Sequence, residues 1–518
     1  MTRQSFLGGT LILLFASFFN HFIGFIYQII MLRLIQPEGV GLFNMIYPIY
    51  VLVLILATAG IPVAVAKLVT EKIAKDNLRE AYRVLYISLI CLTFSSLFFS
   101  VLFIISVPWL QKYFLAHPKI IYSFFCFTPA LLIVSLCSAF RGFFQGLQQM
   151  TPTAVTQVAE QIVRVTSGLI IAYFMLPYGV EYAVMGLAIG IVCGEFMGFM
   201  LMLYIYVRQR PRFKKTIPFL PEKLLTVLTQ IFQLAIPVAF IRFISTISSA
   251  IEALLIPGRL QTAGLTHSQA TAAFGPLTGI AESLLYIPSI VTASLATALI
   301  PAVSEAAAQN DHNLIRARIE ESLRVTMLTV LPAVAVFYLL SNELCALFYG
   351  YKAAGAILSL LALGGPFLYL QQTLTGILQG LGYAARPLKN LVIASAFKIT
   401  GIYYLTVLPQ LGIKGTVLAM LISYFILAGL NYYDLKTLIR LPLDFNYCVA
   451  KPLLASTGMA LVIWQSKLWL PVFFGSANFK TINLLLIGVL SYSIFLYLAG
   501  GIYSYDLNRL RSFIKLKL

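Results

Sequence analysis

Of 518 residues, 60% are hydrophobic and 10% charged, and the mean hydropathy is +0.90. Such a chain has too little polar surface to fold in water, which excludes a soluble protein and leaves the bilayer as its solvent. The net charge of +18 would suit nucleic acid, but the bases are spread over short segments between apolar runs, and nucleic acid is excluded as a partner.

Counting apolar stretches of about 20 residues, the length that crosses a hydrocarbon core, predicts an all-α integral membrane protein with fourteen helices. The spans are 7–35, 41–66, 84–108, 120–140, 153–176, 182–207, 227–256, 272–301, 325–342, 354–381, 388–408, 412–433, 446–466 and 482–504. The first run is too long for a signal-peptide core and reads as a permanent helix. Between the sixth and seventh spans, a basic stretch from Val207 to Lys223 holds Pro211, Pro218 and Pro221, so it reads as a surface loop with a short interfacial helix at Pro221 to Leu225. Asn310 to Glu321 reads as a capped amphipathic helix at the cytoplasmic face.

Chemistry has little room in this pattern. No hydrophilic segment exceeds about twenty residues, and His21, His117, His267 and His312 form no H-E-x-x-H or His/Asp/Cys constellation. The six cysteines lie in apolar helices without paired spacing and read as small core residues. No G-x-x-x-x-G-K-[ST] run is present. The expectation is a protein that is not an enzyme and needs no metal or cofactor.

Charge sets the orientation. With both termini in the cytoplasm, 25 of the 36 Lys and Arg residues fall in cytoplasmic segments, Arg141 among them, and seven fall outside. That asymmetry follows the positive-inside rule and requires an even number of crossings. The basic cluster Arg208 to Lys215 also suits anionic lipid, so membrane lipids are expected partners.

Three echoes suggest a duplicated chain. Ala57-Thr58-Ala59-Gly60-Ile61-Pro62 reappears as Ala296-Thr297-Ala298-Leu299-Ile300-Pro301, Asn77-Leu78 as Asn313-Leu314, and Gln145-Gly146-Leu147 as Gln379-Gly380-Leu381, at offsets of 239, 236 and 234. Six crossings return the chain to the same side, so the copies are expected to be parallel repeats around a shared site. The expected organisation is an N-lobe at 1–207, a basic linker at 208–226, a C-lobe at 227–435, and two added helices with a basic tail at 436–518.

Charges at membrane depth are the most specific signal. Arg33, Arg164, Arg242 and Lys398, with Glu160, Glu195, Glu252 and Glu282, fall inside spans. Each costs about 2.5–3.5 kcal/mol at a helix centre on insertion scales, so each is expected to face a wet cavity or a partner. Glu160 and Arg164 stand four apart on one helical face, which suits a structural salt bridge or a cavity lining equally well. The 234 offset maps Arg164 to Lys398 and Glu160 to Ala394. Glu195, Glu252 and Glu282 are candidate coupling-ion carriers or cross-helix partners. Arg33, near a helix end, suits snorkelling as well as a site.

Gly24, Arg33, Pro37-Glu38-Gly39-Val40-Gly41-Leu42, Arg141-Gly142-Phe143-Phe144-Gln145-Gly146 and Glu160-Gln161-Ile162-Val163-Arg164 together resemble the polysaccharide-transporter branch of the multidrug/oligosaccharidyl-lipid/polysaccharide exporter superfamily, and within it the stage V sporulation protein B group. The resemblance spans the whole chain and implies two six-helix lobes facing a central basic cavity. It implies a flippase in the bacterial cell membrane, or a forespore-associated one, that moves undecaprenyl-pyrophosphate-linked sugars for spore-cortex peptidoglycan, with cell-wall synthesis proteins as possible partners. The roles it implies rest on Arg33, Arg141, Gln145, Glu160 and Arg164; Gln28 departs from an expected arginine. From the resemblance and the charges at membrane depth together, the substrate-binding candidates are Arg33, Gln145, Glu160, Arg164, Arg242 and Lys398. The rival reading is a cation-coupled multidrug exporter of the same fold, working through Glu252 or Glu282.

Overall fold

The computed structural model describes residues 6–75, 77–114, 121–209, 223–309, 311–439, 446–469 and 477–501. Every regular element among them is helical. In chain order the α-helices are α1 Phe6–Thr58, α2 Ile61–Ala74, α3 Leu78–Phe114, α4 Ile121–Gly146, α5 Thr151–Met175, α6 Val180–Gln209, α7 Leu224–Thr262, α8 His267–Pro276 and α9 Glu282–Leu285. They continue as α10 Ser289–Ala308, α11 His312–Leu339, α12 Ser341–Leu344, α13 Gly355–Ala362, α14 Gly365–Gly380, α15 Ala385–Leu405, α16 Ile413–Ile439, α17 Lys451–Trp469 and α18 Ala477–Leu498.

Among the described residues, eleven stretches are long and apolar enough to cross a membrane, or twelve when α13 and α14, bent by 53°, count as one. The chain is a multi-pass membrane protein. Fourteen crossings are not reached by this measure, and the chain shows where the count differs. Phe15–Ala74 is a single stretch of 60 residues, about 90 Å at 1.5 Å per residue, against a hydrocarbon core of about 30 Å. Its helix is interrupted at Gln36, with φ 61° and ψ 172°, just before Pro37. The α15 helix carries Arg386, Lys389 and Lys398 and is not among the eleven.

Two expected elements come out differently. The amphipathic segment at Asn310 to Glu321 is not a separate helix, because Asp311 caps it and it runs on without a break into the apolar part of α11. The span 272–301 is instead divided: a π-helical turn at Leu277–Ala281 follows α8, and the chain breaks again around Pro288 before α10. Of the short helix expected at Pro221 to Leu225, residues 221 and 222 lie outside the described residues, and Leu224 and Leu225 open α7.

The chain divides into two compact units, residues 1–261 with 265–275, and residues 262–264 with 276–518. Unit 1 has a core of α2, α3, α4 and α6, in which Val65, Val69, Ala81, Leu85, Phe143 and Phe144 are buried. Val227, Ile231 and Ala235 of α7 complete it. The sequence repeat begins its second copy with this helix, yet the helix packs on unit 1. Unit 2 builds a core from α10, α11, α14 and α16 with Leu299, Val303, Ile315, Ile319, Ile377 and Leu378. Each of these six stands 234 positions after its unit 1 counterpart. The aromatic pair Phe143 and Phe144 thus becomes aliphatic in unit 2.

Local contacts repeat at the same spacing and correct the register of two echoes. Thr70 Oγ1 donates to Gly146 O at 3.0 Å, and Ser304 Oγ donates to Gly380 O at 2.7 Å. Gly142 lies against the backbone of Pro62, and Gly376 against that of Ala296. Asn77 accepts from Glu80 N at 3.2 Å at the start of α3, and Asp311 accepts from Leu314 N at 2.9 Å at the start of α11. Pro62 therefore corresponds to Ala296 and not Pro301, and Asn77 to Asp311 and not Asn313, whereas Gln145 and Gln379 do correspond. Short identities arise easily in an apolar alphabet; helix crossings and caps fix the true pairing. For the sixth helix the offset shortens to 229: Gly186 lies against Ile171 and Ala172, and Gly415 against Leu405 and Thr406.

Within unit 1, α1 and α8 cross on two glycines. Side chains at Gly41 and Gly275 would overlap the carbonyl oxygens of Thr271 and Pro37, respectively. Positions 37 and 41 correspond to 271 and 275 at the 234 offset, so the contact is self-complementary, as a local two-fold requires.

Candidate functional site

The site begins with a glycine stripe. Gly186, Gly190, Gly194 and Gly198 recur every fourth residue along α6, which puts them on one face. That face lies against α5: Gly190 meets Gly168, Gly194 meets Arg164 and the Glu160 carbonyl, and Gly198 meets the Glu160 side chain. Small residues let two membrane helices approach backbone to backbone. Glu195, beside Gly194, is thereby carried to α5.

Four charges meet there. Arg164 Nη2 donates to Glu160 and, at 2.5 Å, to Glu195 Oε1. Arg141 of α4 donates from Nη2 to the other Glu160 oxygen at 2.7 Å. Gln161 Oε1 accepts from Arg164 Nη1 at 3.4 Å. Side-chain exposure is 20% for Arg164, 15% for Arg141, 11% for Glu160 and 8% for Glu195, so the charges are paired in a largely desolvated setting. Two guanidiniums balance two carboxylates and the cluster is neutral. Nε of Arg141 and of Arg164 are buried without an acceptor among the described residues.

Arg141, counted among the cytoplasmic bases from the sequence, lies near the end of α4 and pairs with Glu160. The i, i+4 relation of Glu160 and Arg164 was legible in the sequence. The pairing of Arg164 with Glu195 was not, although the glycine stripe was a usable signal for it.

The other candidates lie on other parts of the chain. Arg33 is exposed on α1, where its carbonyl accepts from Gln36 Nε2. Gln145 is half-buried at the end of α4, where its carbonyl accepts from Gln148 N. Glu252 of α7 accepts from Ser248 Oγ at 2.8 Å. Glu282, at the start of α9, is half-buried. Arg242 is exposed on α7, with no ion-pair partner among the described residues. No group of three or more His, Cys, Asp or Glu side chains able to hold a metal occurs among the described residues.

Residues 6–307 match the family described as polysaccharide biosynthesis protein. The chain belongs to this family. Residues 237–404 also match the family described as MatE. Stage V sporulation protein B of Bacillus subtilis (strain 168) is 34% identical over 426 residues, 81% of each chain. Lipid II flippase MurJ of the same strain is 26% identical over 448 residues, 82% of this chain and 81% of that protein. A solved structure of lipid II flippase MurJ in an inward closed conformation superposes with a TM-score of 0.72 at 17% identity, covering 93% of this chain and 97% of that one. That likeness shows the shared fold.

In this polysaccharide biosynthesis family member the second unit does not repeat the charges. At the offsets fixed by packing, Arg141, Glu160, Arg164 and Glu195 correspond to Thr375, Ala394, Lys398 and Tyr424. Both carboxylates are gone and one base remains, half-buried on α15. Unit 2 places its polar network nearer the start of α15 and the end of α16. Arg386 donates to Asp434 at 3.1 Å, and Asn390 donates to Asn431 at 2.9 Å and to Asp434 at 2.8 Å.

Proposed function

We propose that the chain is a membrane flippase that moves undecaprenyl-pyrophosphate-linked sugar precursors outward by alternating access, for peptidoglycan of the spore cortex. The observation that carries this reading is the division of labour among the intramembrane bases. Arg164 and Arg141 are neutralised by Glu160 and Glu195, whereas Arg242 stands exposed at the start of the apolar stretch Arg242–Thr262 without a carboxylate partner among the described residues. A guanidinium at membrane depth suits a pyrophosphate, because its planar fork binds oxygens in pairs. Arg33 and Lys398 add positive charge to the same reading, with Gln145 as a neutral donor. The names of the relatives, a sporulation protein and a lipid II flippase, support the substrate class. With both termini cytoplasmic, outward movement of an anion is downhill by about 2.3 kcal/mol per charge per 100 mV.

The test is reconstitution in liposomes with defined lipid-linked sugars. Arg242→Ala is expected to slow flipping of a pyrophosphate-linked sugar by at least about tenfold, the loss of one charge-assisted bidentate contact of about 1.5–3 kcal/mol. Unchanged flipping in Arg242→Ala, across every anionic lipid tried, overturns the reading.

The match of residues 237–404 to the MatE family favours a second reading, cation-coupled export of a drug, since that segment contains both Glu252 and Glu282. It predicts efflux of a fluorescent cation that follows an imposed proton or sodium gradient and is lost in Glu252→Gln.

A further inference from the structure

The two C-terminal helices lie outside the repeat, and where they pack on α11 and α12 they border an open cavity of about 620 Å³. Tyr338 at the end of α11, Ser341 and Asn342 of α12, Trp464 and Lys467 of α17 and Lys480 of α18 line it. Its volume falls in the range of small-molecule sites, roughly 300–1,000 Å³. Helix ends mark the location as a membrane boundary: α11 and α17 end here and α18 begins, at the far ends of α17 and α18 from Lys451 and Gly500. Trp and Tyr gather at such boundaries because their rings are amphipathic.

The charges in the cavity are not balanced. Lys467 Nζ binds Glu343 Oε1 at 2.7 Å and the Leu339 carbonyl at 2.9 Å. Lys480 Nζ donates to the Lys467 carbonyl at 3.3 Å and has no carboxylate partner among the described residues. Two ammonium groups therefore face one carboxylate. Each ammonium carries three donors, so among the described residues three N–H groups remain, one on Lys467 and two on Lys480. Asn342 is exposed beside them. Leu468 also lines the cavity and is 59% exposed, and further along α17 and α18 Leu461 and Leu490 are 65% and 64% exposed.

We infer that this cavity binds the phosphate head group of an anionic membrane lipid, with its acyl chains lying along α17 and α18. A basic pocket between membrane helices at the head-group level has the chemistry for that ligand, and the exposed leucines give the chains an apolar surface that a free anion would not use. This site is separate from the charge cluster of unit 1, and the inference does not rest on the transport reading.

The test uses the full chain in detergent, titrated with phosphatidylglycerol and with phosphatidylcholine of the same acyl chains, and followed by native mass spectrometry. The wild type is expected to prefer phosphatidylglycerol, and Lys480→Gln to reduce that preference about fivefold, the effect of one interfacial lysine. Lys480→Arg, which preserves the charge, is expected to retain the preference, as is Lys67→Gln at an exposed position in unit 1. Three results overturn the proposal: no preference for the anionic lipid, an equal loss in Lys67→Gln, or full displacement of the lipid by millimolar inorganic phosphate, which would make the cavity a site for the free anion.

Discussion

Arg164 of α5 reaches across the glycine-lined crossing to Glu195 of α6 at 2.5 Å while still holding Glu160 on its own helix. One guanidinium thus bridges two carboxylates, with Arg141 supplying the second positive charge, in a setting where an unpaired charge is costly. Arg164→Met leaves Glu195 without its cation, and breaking a buried ion pair in this way costs about 3–5 kcal/mol. Adding Glu195→Gln to that variant removes the stranded charge and is expected to restore part of the loss. Thermal unfolding of the detergent-solubilised single and double variants measures this; strictly additive effects would sink the idea that the pair acts as a unit.

The glycine stripe gives a second expectation. A methyl group at Gly194 would lie 2.7 Å from Arg164 Cβ and 2.7 Å from the Glu160 carbonyl, so Gly194→Ala must push α6 away from α5 and should cost about 1–3 kcal/mol, the range for overpacking. Gly429, in the middle of α16, has nothing within 4 Å of an added Cβ. There Gly429→Ala should stabilise by about 0.5–1 kcal/mol through helix propensity alone. Opposite signs in the two melting shifts are the required result.

The repeat register can be checked at the helix starts. Asn77→Ala and Asp311→Ala each remove a side-chain cap and should each cost about 1 kcal/mol. Asn313, which the sequence echo pairs with Asn77, is exposed one residue inside α11, and Asn313→Ala should stay within about 0.5 kcal/mol of wild type. A larger effect at Asn313 than at Asp311 would restore the register of the echo.

Two cations hold the end of α18. Buried Arg324 of α11 donates to the Gly501 carbonyl at 2.7 Å, and Lys451 of α17 donates to the Gly500 carbonyl at 3.0 Å. Basic groups suit a helix C-terminus because the last carbonyls lack intrahelical partners. Arg324→Met, which deprives a carbonyl of its buried donor, should cost about 1–3 kcal/mol. Lys451→Met, at an exposed contact, should cost less than about 1 kcal/mol. Hydrogen exchange confined to 490–501 separates this local loosening from global unfolding.

Much of the architecture was legible in the residues themselves. Apolar runs of membrane-crossing length, scarce charge and internal similarity are one-dimensional signals, because a bilayer demands continuous hydrophobic helix whatever the neighbours are. The Glu160 and Arg164 pair was equally readable, since a four-residue spacing fixes a shared helical face. By themselves the residues therefore determined a duplicated helical membrane protein with charges at depth. Only the tertiary structure decided which charges meet: that Arg141 joins the cluster, that Glu195 closes it, that α7 packs on unit 1, and that Pro62 answers Ala296. Those outcomes depend on how closely two helices approach and which faces they turn to one another, and the distance between helices is set by side-chain volume at crossings far apart in the chain.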